Sequence, residues 1–213
     1  MPSSTTFKYE TKRKNLYLRV ARGHFATANC HSNYYIDVVA QKSRLNEAQA
    51  VAEELRTYFY QNTIVDTILC LDGTEVIGAC LAEQLSKADF INMNAHKSMY
   101  VVTPEVTNGG QIIFRDNIVP MIQGKHVLIL AVSVATGRTV EPAVDAVKYY
   151  GGQVAGICSI FATRKERAGI PVNSVFNPND IPDYQNYKPH ECPLCKAGQK
   201  IDALVNCHGC SKI

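Results

Sequence analysis

Apolar and polar positions along this chain switch between two periods, and the switches lay out a series of elements. Leu45, Ala48, Ala52, Leu55 and Phe59 recur at helical spacing, with Ser43 placed to cap the helix they predict. Residues 63–71, TIVDTILCL, are a short apolar run rich in β-branched side chains, which predicts a buried strand. Asp72-Gly73-Thr74 breaks that run, and 75–87 has helical composition. A second strand is expected at 98–102. It leads into 103–111, TPEVTNGGQ, whose Pro, Asn and Gly content predicts a loop able to move. The strongest segment follows: a strand at 126–131, a loop at 133–138, and a helix at 139–150 with Val140, Val144 and Val147 on one side. Gly151-Gly152 ends that helix, and strands are expected at 153–161 and 171–176. Strands alternating with helices predict right-handed crossovers, hence an α/β fold with a mainly parallel sheet flanked by helices. Ligands of such sheets bind beyond the carboxyl ends of the strands, where the loops after Leu71 and Ala131 lie.

Composition narrows the class. The chain has 213 residues, 46% hydrophobic and 19% charged, without low-complexity stretches or repeats, as expected of a globular protein. A net charge of +3 and the absence of a long basic run argue against a nucleic-acid partner, and Lys12-Arg13-Lys14 reads as a solvated lead. No apolar stretch reaches the roughly 18 residues of a membrane span, and the N-terminal residues lack a signal-type apolar core. The expectation is a cytosolic protein with no membrane partner. Four of the eight cysteines (Cys30, Cys70, Cys80, Cys158) are scattered and read as buried thiols; the other four fall within the last 22 residues.

Ala135-Thr136-Gly137-Arg138-Thr139 joins a buried strand to a helix start. Backbone N–H groups and the positive helix end converge there, with the Thr136 and Thr139 hydroxyls as further donors, so an anion is the natural guest. The other reading is that Thr139 only caps the helix while Gly137 makes the turn.

The surrounding segment, HVLILAVSVATGRTVEPAVDAVKYYGGQVAGI, resembles the phosphoribosyl-diphosphate (PRPP) signature of type I phosphoribosyltransferases. FATANCHSNYYID at 25–37, IFATR at 160–164 and IPVNSVF followed by ECPLCKAG are similar, in the same order, to segments of the orotate phosphoribosyltransferases. The resemblance implies the type I phosphoribosyltransferase fold with a small hood, a homodimer, and a small phosphoribosyl or nucleotide ligand. It also implies transfer of phosphoribosyl from PRPP–Mg²⁺ to orotate with release of pyrophosphate. In that frame residues 135–139 hold the 5′-phosphate, Asp72, Gly73 and Thr74 form the pyrophosphate-side loop, and Arg164 and Ser32 meet the base.

The chain departs from the family on one half of that site. The acid pair that would grip the ribose hydroxyls is Ala131 and Val132. His31 stands in place of a lysine, the family's Arg-Lys pair falls at about Val102-Thr103, and the loop at 103–111 carries Glu105 but no Lys or His. Asp72 and Glu75 add negative charge where pyrophosphate would sit. Three readings stay open: a transferase whose charges come from neighbours such as Lys97, Arg115, Lys165 or Arg167; a non-catalytic module binding a nucleotide 5′-phosphate; or a different reaction on a phosphorylated sugar or nucleotide.

The C-terminal residues divide the chain into a phosphoribosyltransferase-like domain, 1–185, and a Cys-rich tail, 186–213. Cys192-Pro193-Leu194-Cys195 and Cys207-His208-Gly209-Cys210 are two CxxC pairs separated by eleven residues, a spacing suited to structural Zn²⁺ on four sulfurs. His190 and His208 read as reserve ligands or bystanders. His31 is a candidate ligand contact, whereas His24 reads as a surface or packing residue. Tyr34 and Tyr35 read as core or dimer-contact residues as readily as base-stacking ones.

Overall fold

The structure, a computed structural model, describes residues 6–10, 16–87, 90–135 and 137–213. Thr136 and the Lys12-Arg13-Lys14 run lie outside the described residues. The chain opens with strands β1 (Thr6–Glu10), β2 (Tyr17–Ala26) and β3 (His31–Asp37), then helices α1 (Val39–Ser43) and α2 (Leu45–Arg56). The middle holds β4 (Thr67–Cys70), α3 (Glu75–Ser86), β5 (Tyr100–Val102), β6 (Glu105–Val106), β7 (Ile112–Ile113), β8 (His126–Val134), α4 (Val140–Tyr149) and β9 (Gln153–Ala162). The last elements are β10 (Glu166–Arg167), β11 (Ile170–Phe176), β12 (Asn186–Tyr187), α5 (Pro193–Lys196), β13 (Ala203–Asn206) and β14 (Gly209–Lys212). These form two compact units: Met1–Ala40 with Phe176–Ile213, and Gln41–Val175.

The unit formed by Gln41–Val175 carries a six-stranded sheet in the order β10-β11-β9-β8-β4-β5. β5, β4, β8 and β9 run parallel, with Leu69 opposite both Val102 and Ile129. Because successive side chains of a strand point to opposite faces, the apolar runs of β4 and β8 need a cover on each face. Leu69, Val127, Ile129 and Ala131 pack in one cluster with Val140, Val144 and Val147 of α4. On the other face α3 comes so close that a methyl at Gly78 would collide with the Cys70 sulfur, which is why glycine stands there. Among the described residues no helix is long and apolar enough to cross a membrane.

Two element boundaries differ from the periodicity. Ser43 ends α1 instead of capping α2, whose N-cap is Arg44 in an extended conformation without a side-chain cap bond. Asp66 bonds through its backbone to His126 and Tyr100 at the start of the sheet, but residues 63–65 do not join it. The buried Asn94 side chain takes up their backbone instead, accepting from the Val65 amide (2.9 Å) and donating to the Thr63 carbonyl (2.8 Å). The 103–111 segment contains one strand of the β6–β7 hairpin, where Glu105 pairs with Ile113.

In the other unit β12-β3-β2-β13-β14 form a sheet, and β1 also pairs with β2. β13 runs parallel to β2 with Ala203 opposite Phe25, so residues of the Cys-rich tail belong to the same sheet as the N-terminal strands. Phe25, Ala21 and Ala203 form its small core, against which Tyr35, Val205 and Cys210 pack.

Candidate functional site

The loop at 135–139 leaves β8 and turns into α4. Gly137 has φ +85°, a left-handed conformation that favours glycine. The Glu141 amide donates to the Gly137 carbonyl (2.8 Å), starting the helix. Thr139, the N-cap residue, makes no side-chain cap bond, so its hydroxyl is not used in the way the capping alternative requires. The loop is supported by Arg167, whose Nη2 donates to the Ala135 carbonyl (2.6 Å), and by the Thr163 amide, which donates to the Val134 carbonyl (3.0 Å). Arg167 also faces the Glu141 carboxylate at 3.6 Å. That carboxylate would lie 2.5 Å from a methyl placed on Gly137, so the first turn of α4 already holds an anion beside the loop. Arg138 is exposed on the rim.

β4 ends one strand away. Leu71 donates its amide to the Leu130 carbonyl (2.8 Å), which sets the loop at 72–74 beside the end of β8. Asp72 and Gly73 both have positive φ, 58° and 77°. Thr74 is fully buried and its hydroxyl donates to the carbonyls of Leu71 (2.8 Å) and Leu130 (3.2 Å), tying its loop to the end of β4 and to β8. Lys42 donates from Nζ to the Asp72 carbonyl (2.7 Å), placing on this loop a cation from 30 residues away in the chain. Burial pushes the neighbouring Cys70 thiol up to about 12, with the Thr74 hydrogen bond opposing and Glu75 adding to the shift.

The remaining expected residues are placed as follows. Ala131 and Val132 are buried at the end of β8, and no carboxylate takes their place on the strand. On the β6–β7 side, Glu105 is held bidentately by Arg115 at 2.6 Å for each bond; this hydrogen-bonded guanidinium keeps the Glu105 carboxyl below its ordinary value. Arg164 is exposed just beyond β9. Ser32 lies buried on β3 in the other unit, where its hydroxyl donates to the Tyr34 carbonyl (2.8 Å) and accepts from the Tyr34 amide (3.1 Å).

The metal-competent group differs from the one the spacing suggests. Among the described residues, the ligand atoms of His24, His31, Cys192 and Cys195 lie within 4.8 Å of one another. Cys207 and Cys210 are not in that group: they lie at the turn and second strand of the β13–β14 hairpin. His24 is correspondingly neither a surface residue nor simple packing; it is fully buried at the centre of this group. The missed signal was two histidines seven residues apart flanking a strand turn, with Cys-x-x-Cys as the partner motif.

Comparisons with known proteins match this architecture. No family model matches the chain. Among solved structures, an orotate phosphoribosyltransferase from Mycobacterium tuberculosis H37Rv superposes with a TM-score of 0.53 at 16% identity, over 76% of this chain and 91% of that one. The Leishmania donovani UMP synthase gives 0.56 at 18% identity, over 75% of this chain but 34% of that longer one. The fold is therefore that of the type I phosphoribosyltransferases. Among curated relatives, the orotate phosphoribosyltransferase of Caldanaerobacter subterraneus subsp. tengcongensis is 32% identical over 183 residues, covering 84% of this chain and 86% of the relative. That of Chlorobaculum parvum is 27% identical over 183 residues, covering 85% and 86%. The chain belongs to the orotate phosphoribosyltransferase family.

Proposed function

We propose that the chain binds a phosphoribosylated ligand, a nucleotide 5′-monophosphate in the first instance, with its phosphate at 135–139, and that ordinary transfer from PRPP to orotate is lost or slow. The observation that carries this reading is the end of β8. A glycine turn and a helix N-terminus stand beside two apolar side chains, Ala131 and Val132, where the family resemblance calls for two acids. An aliphatic pair accepts no hydrogen bond from a ribose hydroxyl and offers Mg²⁺ no oxygen, directly or through its waters. The residues present thus do not fit the family's Mg²⁺ role at this strand. Stabilising a leaving pyrophosphate needs preorganised cations, and removing one such donor costs roughly 10²–10³ in rate. Arg115, the nearest cation to the 103–111 segment in sequence, is engaged by Glu105.

A second reading, phosphoribosyl transfer to orotate with charges supplied by unexpected residues, is favoured by Lys42 on the Asp72 carbonyl. Calorimetric titration with orotidine and uridine 5′-monophosphates and with PRPP–Mg²⁺, alongside an assay for orotate-dependent pyrophosphate release, separates the two. Monophosphate binding without turnover supports the binding role. Turnover that a Lys42→Met variant abolishes supports the transferase. A homodimer, the family's usual assembly, is proposed with either and is checked by sedimentation.

A further inference from the structure

We propose that His24, His31, Cys192 and Cys195 form a closed tetrahedral Zn²⁺ site that fixes the C-terminal segment to the β2–β3 hairpin. The proposal stands independently of the nucleotide reading above. All four residues belong to one compact unit, and the first and third are 168 positions apart in sequence.

All six ligand–ligand distances are within 4.8 Å, and four of them are close to those of a first coordination shell. His24 Nε2 lies 3.2 Å from His31 Nδ1, 3.5 Å from Cys192 Sγ and 3.6 Å from Cys195 Sγ, and His31 Nδ1 lies 3.3 Å from Cys195 Sγ. With Zn–S of about 2.3 Å and Zn–N of about 2.05 Å, tetrahedral edges come to about 3.35 Å for N···N and about 3.55 Å for N···S. The four observed edges lie within about 0.25 Å of these values. Two thiols and two imidazoles are soft and borderline donors, which favour zinc over the oxygen-seeking Mg²⁺ and Ca²⁺.

The surroundings prepare the ligands. His24 Nδ1 lies 2.9 Å from the Gln199 carbonyl and 3.2 Å from that of Lys200. Carbonyls only accept, so Nδ1 carries the hydrogen and Nε2 turns its lone pair into the group, as the outer partners of metal-bound histidines do. The pairing of β2 with β3 shifts by one residue between Arg22 and Phe25, an extra residue that sits next to His24 and re-aims it. Asp202 then fixes the His24 backbone from both sides, accepting from its amide (2.7 Å) and donating its own amide to its carbonyl (2.8 Å). Cys192 is the N-cap of α5, and the Lys196 amide donates to its carbonyl (3.2 Å), a turn that brings Cys195 round beside it. His24 and Cys192 are wholly buried and His31 nearly so. Four protein ligands leave no open position, so the ion is structural.

The test is elemental analysis of the full chain purified without chelator, together with the visible spectrum after exchange to Co²⁺. About one zinc per chain and the bands of a tetrahedral cobalt site with two thiolates are expected. Cys195→Ser, at the exposed ligand, and His31→Gln should each lower zinc content at least tenfold. The Cys207→Ser/Cys210→Ser double variant should retain it. Zinc lost in the Cys207/Cys210 variant but kept in Cys195→Ser overturns the assignment. So does a wild-type chain that takes up neither zinc nor tetrahedral cobalt. If the single variants fail to fold, the wild-type cobalt spectrum decides, because a four-sulfur site and a two-sulfur, two-nitrogen site differ in band position and charge-transfer intensity.

Discussion

Glu141→Gln should tighten binding of a 5′-monophosphate while slightly weakening the fold. The Glu141 carboxylate stands at the first turn of α4, paired with Arg167 at 3.6 Å and close against Gly137. A phosphate seated on the loop would lie about 5 Å from it, and two unit charges at that distance repel by roughly 1.7 kcal/mol at an effective dielectric of about 40. That is about fifteenfold in Kd. Neutralising the residue removes this repulsion and frees the Arg167 guanidinium to face the ligand. The same change removes an acid from a helix N-terminus, which costs about 0.3–1 kcal/mol. Calorimetry with orotidine 5′-monophosphate at low ionic strength should show the tighter Kd, and thermal unfolding without ligand should show a small fall in Tm. Raising salt should shrink the gain, since the screening length drops to about 3 Å at 1 M. An unchanged or weaker Kd at low salt would refute the reasoning, for it would mean that the phosphate does not sit beside this helix end.

Gly78→Ala should destabilise the chain by about 1–3 kcal/mol by overpacking α3 against Cys70, and adding Cys70→Ala, which removes the sulfur it meets, should recover part of the loss in chemical denaturation. Asp66 accepts from the His126 amide (2.9 Å) and lies 2.8 Å from its imidazole. Partial burial alone would raise its carboxyl, but the two His126 interactions and Lys97 outweigh it and hold Asp66 below the usual 3.8. A lowered carboxyl stabilises the fold above its unfolded value and loses that contribution as pH falls through the folded one. Asp66→Asn should therefore destabilise the fold at pH 7, a penalty that fades in unfolding curves taken below pH 3.8. Burial, with Cys70 beside it, pushes the Cys158 thiol well up, and Cys70 is itself shifted upward, so mass spectrometry after brief alkylation of the native chain at pH 8 should find both unlabelled.

The parallel sheet was legible because its strands are buried on both faces and therefore continuous in hydrophobicity: TIVDTILCL and HVLILAVSV announce themselves. The loops at 72–74 and 135–139 followed from that, since a strand-to-helix junction fixes where a ligand can sit. What escaped detection depends on distant residues. The withdrawal of 63–65 from the sheet is decided by Asn94, and the cation beside Asp72 comes from Lys42, on a helix whose five residues carry too little periodicity to read. The expected four-sulfur zinc set treated the tail as self-contained. Cys192 and Cys195 instead meet His24 and His31, whose spacing around a strand turn is a signal only once the distant Cys-x-x-Cys is set beside it.

The division of the chain also sets an order of assembly. Gln41–Val175 is continuous, so a ribosome delivers every residue of that sheet in one stretch. β2 and β3 are made just before it, yet β12, β13 and β14, which complete their sheet, follow only after the whole of it. Until residues 186–212 emerge, then, the hairpin bearing His24 and His31 lacks its β12 and β13 neighbours, and completing the sheet closes a loop over the whole of Gln41–Val175 (a closure over so long a loop removes much unfolded-state entropy).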